Sequence, residues 1–200
     1  ELRMLAHEMN DKEYINEILN GDIHTANQKL ARLESRDQAK TFIYALNYGA
    51  GDAKLGSVVG GGREAGKRLR ERFFSSLPSF KTLKNRISRE ASTGYLKALD
   101  GRRLTVRSEH AALNTLLQGN GAIVMKESLI IFNKKLKDLN LNAKFVANVH
   151  DEWQLEVIED QAEQVGKLGV QSIKEATCSL KLNCPLDGEY NIGDNWYETH

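Results

Sequence analysis

Residues 36–49 read Arg-Asp-Gln-Ala-Lys-Thr-Phe-Ile-Tyr-Ala-Leu-Asn-Tyr-Gly, with Arg36, Lys40, Tyr44 and Tyr48 four residues apart. In a helix each four-residue step turns a side chain by only about 40°. The four residues therefore form one inclined stripe, cations first and flat phenols after. Ser35 can cap such a helix, and Gly49 and Gly51 break it. A nucleoside triphosphate lying along the helix would suit the stripe, because a guanidinium fork and an ammonium match phosphate oxygens. The aromatic faces beside them give a base or sugar a surface to pack on. An ordinary amphipathic helix with a solvated basic end carries the same spacing, so the stripe alone leaves both readings open.

About a hundred residues downstream lies Val149-His150-Asp151-Glu152. Apolar residues alternate on both sides of it from Lys144 to Val157, the pattern of two strands joined by a tight turn. Adjacent carboxylates at such a tip could share two magnesium ions about 3.5–4 Å apart, which clamp attacking and leaving oxygens. A carboxylate pair at a hairpin tip is also an ordinary polar turn. The flanking alternation, with a triphosphate stripe elsewhere in the chain, favours the metal reading.

A net charge of +1 conceals an asymmetry. Between Gly61 and Arg107 stand 13 Lys and Arg against 4 acids, a balance of +9, so the remaining residues sum to −8. A basic block beside an acidic remainder suits a protein that holds a polyanion with one part and metal ions with another. Within the block, Gly61-Gly-Arg-Glu-Ala-Gly66-Lys67 has the outline of a phosphate-cradling loop. Arg68 stands where that loop needs a magnesium-binding Ser or Thr, and Val58-Val59 is too short for the strand before it. It reads as a joint between two helices, with Lys67 on a basic face.

Two hundred residues, 40% hydrophobic, can bury a core as one domain or two small ones. No signal-peptide pattern and no apolar run of membrane-spanning length is present, so no membrane partner is expected. Cys178 and Cys184 are too few and wrongly spaced for a zinc ribbon or a disulfide framework. They read as small buried residues in a reducing, cytoplasmic setting.

Residues 1–9 open as a strand or a helix start, and Asp11–Leu19 reads as a short helix. Gly21-Asp22 turns the chain, and Thr25–Leu33 is helical. Helices are expected at 52–59 and 63–75, and Pro78 interrupts before another from about Phe80 to Ala91. Leu96–Val106 reads as a hairpin around Asp100-Gly101, Ser108–Leu139 as a long helix, and Asp160–Ser179 as a final amphipathic helix before an irregular tail carrying Trp196.

The spacing Arg-x3-Lys-x3-Tyr-x3-Tyr-Gly followed by Val-His-Asp-Glu resembles motifs B and C of the DNA polymerase I family, the family A DNA polymerases, and particularly its phage replicative branch. Further segments agree in order: Glu1-Leu-Arg3, Gly21-Asp-Ile-His24-Thr25, Leu99-Asp-Gly-Arg102, His110 through Gln118, and Asn195-Trp196. The resemblance implies an α+β fold, a polymerase palm built on an antiparallel sheet with helices. Residues 1–19 and 108–200 would belong to the palm, and 20–107 would form an inserted helical fingers subdomain. It implies template-directed DNA synthesis with two Mg2+ ions, and primer-template DNA and deoxynucleoside triphosphates as partners. An accessory processivity factor is a further partner it allows.

Roles follow from the same resemblance. Asp151 would be a principal metal ligand and Glu152 an auxiliary acid, while His150 would approach the primer-terminal backbone. Arg36 and His24 would contact the non-reacting phosphates, and Lys40 the α-phosphate and the leaving pyrophosphate. Tyr44 would lie beneath the sugar, and Tyr48 would occupy the templating position in an open site. Glu1 would block a ribose 2′-hydroxyl and hydrogen-bond Tyr48. Asn114 and Gln118 would reach minor-groove acceptors, and Arg3 and Arg107 would be DNA contacts. His7, His110 and His200 read as surface or satisfied core histidines.

In the family, Glu1-Leu-Arg3 is the tail of motif A, whose metal-binding aspartate lies a few residues before that Glu. The expectation is a palm-and-fingers fragment that needs the N-terminal polymerase portion and is inactive alone, its stripe facing the Asp151–Glu152 turn across a cleft. The alternatives are a non-catalytic nucleic-acid-binding module and a single-subunit RNA polymerase. The second fits the Glu1 gate and the His-Asp-Glu order less well.

Overall fold

A computed structural model describes residues 1–199. The chain forms two compact units, Glu1–Gly119 and the residues from Asn120 onward. Each combines helices with one two-stranded antiparallel sheet among the described residues, an α+β construction.

In the first unit, helices α1 (Leu2–Met9), α2 (Lys12–Asn20), α3 (Ile23–Ala31), α4 (Arg36–Asn47), α5 (Asp52–Ser57), α6 (Arg63–Ser76) and α7 (Pro78–Ala91) precede strands β1 (Tyr95–Lys97) and β2 (Arg103–Thr105). Short polar side chains start three of the helices. Asp11 accepts from the Glu13 and Tyr14 N–H groups, Asp22 from that of His24, and Ser35 from that of Gln38. Each satisfies a donor that the first turn would otherwise leave orphaned. Residues 1–9 resolve as a helix because Met4, Leu5, Ala6 and Met9 share one buried face. Asn10 ends it in the left-handed region at φ 50°, which Asn tolerates. Pro78 opens α7 rather than interrupting before it. At the first helical position its missing N–H costs nothing and its fixed φ suits the helix.

Phe42, Phe73 and Phe80, fully buried, join α4, α6 and α7 through edge-to-face contacts at 5.3 and 5.5 Å. Truncating the central ring, Phe73→Ala, would cost about 3–5 kcal/mol. Helices α5 and α6 approach at glycines. A Cβ on Gly56 would lie 2.0 Å from the Gly62 carbonyl oxygen, and one on Gly66 1.8 Å from that of Asp52. The Gly61–Lys67 segment is thus a helix joint whose Gly66 serves backbone packing, and a helix, not a strand, precedes it.

Helix α8 (Ala112–Asp138) follows a 3-10 turn at Glu109–Ala111, and the unit boundary falls within it. The second unit continues with strands β3 (Ala143–Val149) and β4 (Glu152–Val157), α9 (Ala162–Ser179) and a tail ending in α10 (Trp196–Thr199). Its core is Phe132, Leu136 and Val165, with Trp153, Leu155 and Val157 of β4 packed against them. Trp153 stacks on Phe132 at 5.5 Å, which anchors the β4 half of the hairpin to α8. Cys184 is buried, but Cys178 is exposed near the end of α9, so only one thiol matches the expectation of burial. No helix among the described residues is long and apolar enough to cross a membrane. His200 lies outside the described residues.

Candidate nucleotide and metal sites

Helix α4 buries Ala39, Phe42, Ile43, Leu46 and Asn47 on one face. That burial fixes the rotation of the helix and turns the stripe outward: Arg36, Lys40 and Tyr48 are exposed and Tyr44 is half-buried. Lys40 has no ion-pair partner among the described residues. His24, on α3, brings its ring to 6.2 Å from that of Tyr44. Its imidazole is held below the ordinary histidine range, first by burial and then by the Arg36 charge. Its Nδ1 is buried with no hydrogen-bond partner among the described residues.

Arg36 is engaged by a residue that the sequence presents only as a turn. Its Nε lies 2.7 Å from Asp22 Oδ2 and its Nη2 3.2 Å from Oδ1. Asp22 also accepts from the His24 N–H at 3.0 Å and the Thr25 hydroxyl at 2.8 Å. The Arg36 hydrogen bond, before the others, holds its carboxyl well below the usual carboxylate range. Asp ahead of a helix is a legible cap signal. The guanidinium 14 residues away is not.

At the other end of the stripe, Tyr48 caps α4 and its hydroxyl donates to Glu1 Oε1 at 2.7 Å. Gln118 Nε2 also donates to Glu1 Oε1, and lies 3.4 Å from the Tyr48 oxygen. Glu1 thus joins the start of α1, the end of α4 and the first part of α8, and its hydrogen bond pushes the Tyr48 phenol up. Gly49 makes the junction feasible. It sits at φ +76°, and a Cβ there would fall 2.0 Å from the His110 carbonyl oxygen. Asn114 is half-buried with Oδ1 lacking a hydrogen-bond partner among the described residues. Arg107 and His110 are exposed, and Arg3 and His7 are half-buried. Burial lowers the His7 imidazole.

The basic block is not uniform. Arg70 pairs with Asp52, Arg86 with Glu8, and Arg102 with Asp100. Arg72 donates to the Ala31 carbonyl, and Arg103 lies 4.5 Å over the Tyr95 ring. Arg63, Lys67, Arg68, Lys81, Arg89, Lys97 and Arg107 are exposed.

In the second unit Val149 pairs with Glu152, leaving His150 and Asp151 as a two-residue turn. His150 takes φ 53°, in the left-handed region that favours glycine. Asp151 is exposed, and Glu152 accepts from Gln154 Nε2. The two carboxylates are the hard oxygen donors that magnesium takes, so the pair fits that ion as part of a ligand set. Among the described residues no group of three or more His, Cys, Asp or Glu comes together to hold a metal.

The fold is similar to part of the POL domain of Pol1 from M. smegmatis, a structure in complex with DNA primer-template and dNTP, which superposes with a TM-score of 0.81 at 24% identity, covering 93% of this chain and 36% of that one. The family model described as DNA polymerase family A matches residues 1–198, and the chain belongs to that family. It is 44% identical to the DNA-directed DNA polymerase of Escherichia phage Phieco32, over 92% of this chain and 31% of that protein. It is 40% identical to that of Escherichia phage T7, over 100% and 32%, and 30% identical to DNA polymerase I of Geobacillus stearothermophilus, over 99% and 25%. The chain thus spans between a quarter and a third of the length of these relatives.

Proposed function

We propose that this chain supplies the fingers and the hairpin part of the palm in a template-directed DNA polymerase. Residues 20–107 serve as fingers, and residues 1–19 and 108–200 as palm. The observation that carries the reading is the outward stripe of α4 and its cap: Arg36, Lys40 and Tyr48 exposed and Tyr44 half-buried. In the reaction the primer 3′-oxygen attacks the α-phosphorus of a deoxynucleoside triphosphate, and the bond to pyrophosphate breaks.

Lys40 neutralises charge at the α-phosphate and can give a proton to the leaving group. Arg36 and His24 hold the non-reacting phosphates, and Tyr44 packs beneath the sugar. Glu1 excludes a 2′-hydroxyl and keeps Tyr48 in place, with Tyr48 yielding the templating position on closure. Asn114 and Gln118 read minor-groove acceptors, and Arg3, Arg107 and His150 contact DNA. The Asp151 and Glu152 carboxylates would hold magnesium, which when bound would supply positive charge beside the 3′-oxygen and the pyrophosphate. The family resemblance implies one further carboxylate ligand, the aspartate of motif A.

The test is primer extension. Joined to the upstream segment of a phage family member, the chain should extend a primer with magnesium, and alone it should not. Extension by the chain alone, or none by the joined protein, would overturn the reading.

A further inference from the structure

Arg36 is the first residue of α4, where the helix dipole disfavours a cation. A carboxylate from the N-terminal cap of α3 offsets this through two parallel hydrogen bonds. The pair stands in water, with the Arg36 side chain 51% and the Asp22 side chain 43% exposed, and such pairs are weakly held.

We propose that Asp22 is an exchangeable stand-in for a nucleotide phosphate. It keeps the guanidinium of Arg36 paired and aimed when no nucleotide is bound, and gives it up to the triphosphate. The inference rests on the assignment of Arg36 to nucleotide phosphates and adds a positioning residue to it.

Three features support the exchange. Each Asp22 oxygen has a second partner: Oδ1 accepts from the His24 N–H at 3.0 Å and Oδ2 from the Thr25 hydroxyl at 2.8 Å. On losing Arg36 the carboxylate therefore keeps its capping bonds, and α3 does not have to unwind. Lys40, one turn along the same face, is exposed and unpaired among the described residues, so a phosphate gathered there has one carboxylate to replace. The incoming oxygens and the Asp22 oxygens are both bidentate acceptors of the same planar fork, so one geometry serves either.

Competition dictates the sign of the effect. Removing the Asp22 charge frees Arg36 and removes an anion from beside the phosphates, so nucleotide binding should tighten. Asp22→Asn is the useful variant, because Asn is as good an N-cap as Asp and preserves α3.

The experiment uses the chain joined to the upstream segment of a phage family member. Equilibrium binding of a dNTP is measured on a dideoxy-terminated primer-template, so that no chemistry intervenes. Asp22→Asn should lower the dissociation constant about two- to fivefold, the range an exposed ion pair allows. In an Arg36→Ala background the same substitution should lose most of that effect. If Arg36→Ala weakens dNTP binding but Asp22→Asn leaves it unchanged or weaker, the stand-in role is overturned and the nucleotide assignment stands. If Arg36→Ala leaves dNTP binding unchanged, the assignment itself fails and the inference falls with it. Thermal melting of both variants shows whether α3 has stayed folded.

Discussion

At the two ends of the α4 stripe, Arg36 and Tyr48 are already engaged by acids of their own unit. Asp22 holds Arg36, and Glu1 accepts from Tyr48 and Gln118. At the tip of the β3–β4 hairpin, Asp151 is exposed and no cation stands beside it among the described residues. Its neighbour Glu152 accepts from the neutral amide of Gln154. A cationic stripe can be held in shape by carboxylates that later yield. An anionic tip is held in shape by its backbone: a two-residue turn with His150 in the left-handed region, anchored through Trp153 stacked on Phe132. On the proposed function, one region would exchange partners on binding and the other would acquire them.

The hardest test of this contrast compares one substitution from each region in the joined polymerase. If Asp151 is the metal ligand proposed, Asp151→Asn should reduce the rate of incorporation by about 10³-fold or more while leaving primer-template affinity nearly intact, because such a ligand serves the transition state. Lys40→Ala should reduce the rate by about 10²-fold and also weaken dNTP binding, since on the proposed function its charge meets the triphosphate before the chemistry. Single-turnover kinetics over a range of dNTP concentrations separate the two. Equal effects on nucleotide affinity would erase the distinction.

A second test acts on the frame of the stripe. Gly49→Ala puts a Cβ against the His110 carbonyl and forces Ala to φ +76°. The expected destabilisation is about 2–4 kcal/mol, the sum of left-handed strain and overpacking. The matching change at the hairpin, His150→Gly, relieves a left-handed residue and should leave stability equal or slightly higher. Thermal melts of the two variants moving in the same direction would show that the two regions are not held by different means.

Much of this frame is legible in the sequence, and what escapes has a common cause. Asp11 and Ser35 announce helices because capping is local chemistry, and the alternation around residues 144–157 yields the hairpin for the same reason. Pro78 misleads because a proline that breaks one helix can open the next, and only the packing of Phe80 and Leu83 decides which. The stripe follows from spacing alone. The acids that engage it do not, since Asp22 lies 14 residues from Arg36 and Glu1 lies 117 from Gln118. The basic block reads in the sequence as one surface, yet Arg70, Arg72, Arg86 and Arg102 are committed to bonds within the first unit.

That division makes a smaller prediction. Neutralising the exposed Lys67, Arg68 and Lys81 should flatten the log–log salt dependence of primer-template binding, by about one in slope for each DNA phosphate that no longer meets a cation. Neutralising Arg70 and Arg86 should instead lower the melting temperature and leave the slope nearly unchanged. A slope indifferent to the exposed set would move the DNA surface elsewhere.

The smallest effect is a titration. Because Arg36 holds the Asp22 carboxyl below its ordinary 3.8, the stability their pairing contributes is complete above about pH 4. It is lost only as the pH falls through the lowered value, where the folded state must take up the proton. Carbon-13 labelling of aspartate side chains should show Asp22 still ionised when exposed, unpaired carboxylates have begun to protonate. In Arg36→Ala its titration should move upward but stay below the ordinary value, because the Thr25 hydroxyl and the His24 N–H remain as donors. A full return to the ordinary value would mean that the cap dissolves with the pair, and that α3 and α4 are held by one interaction rather than two.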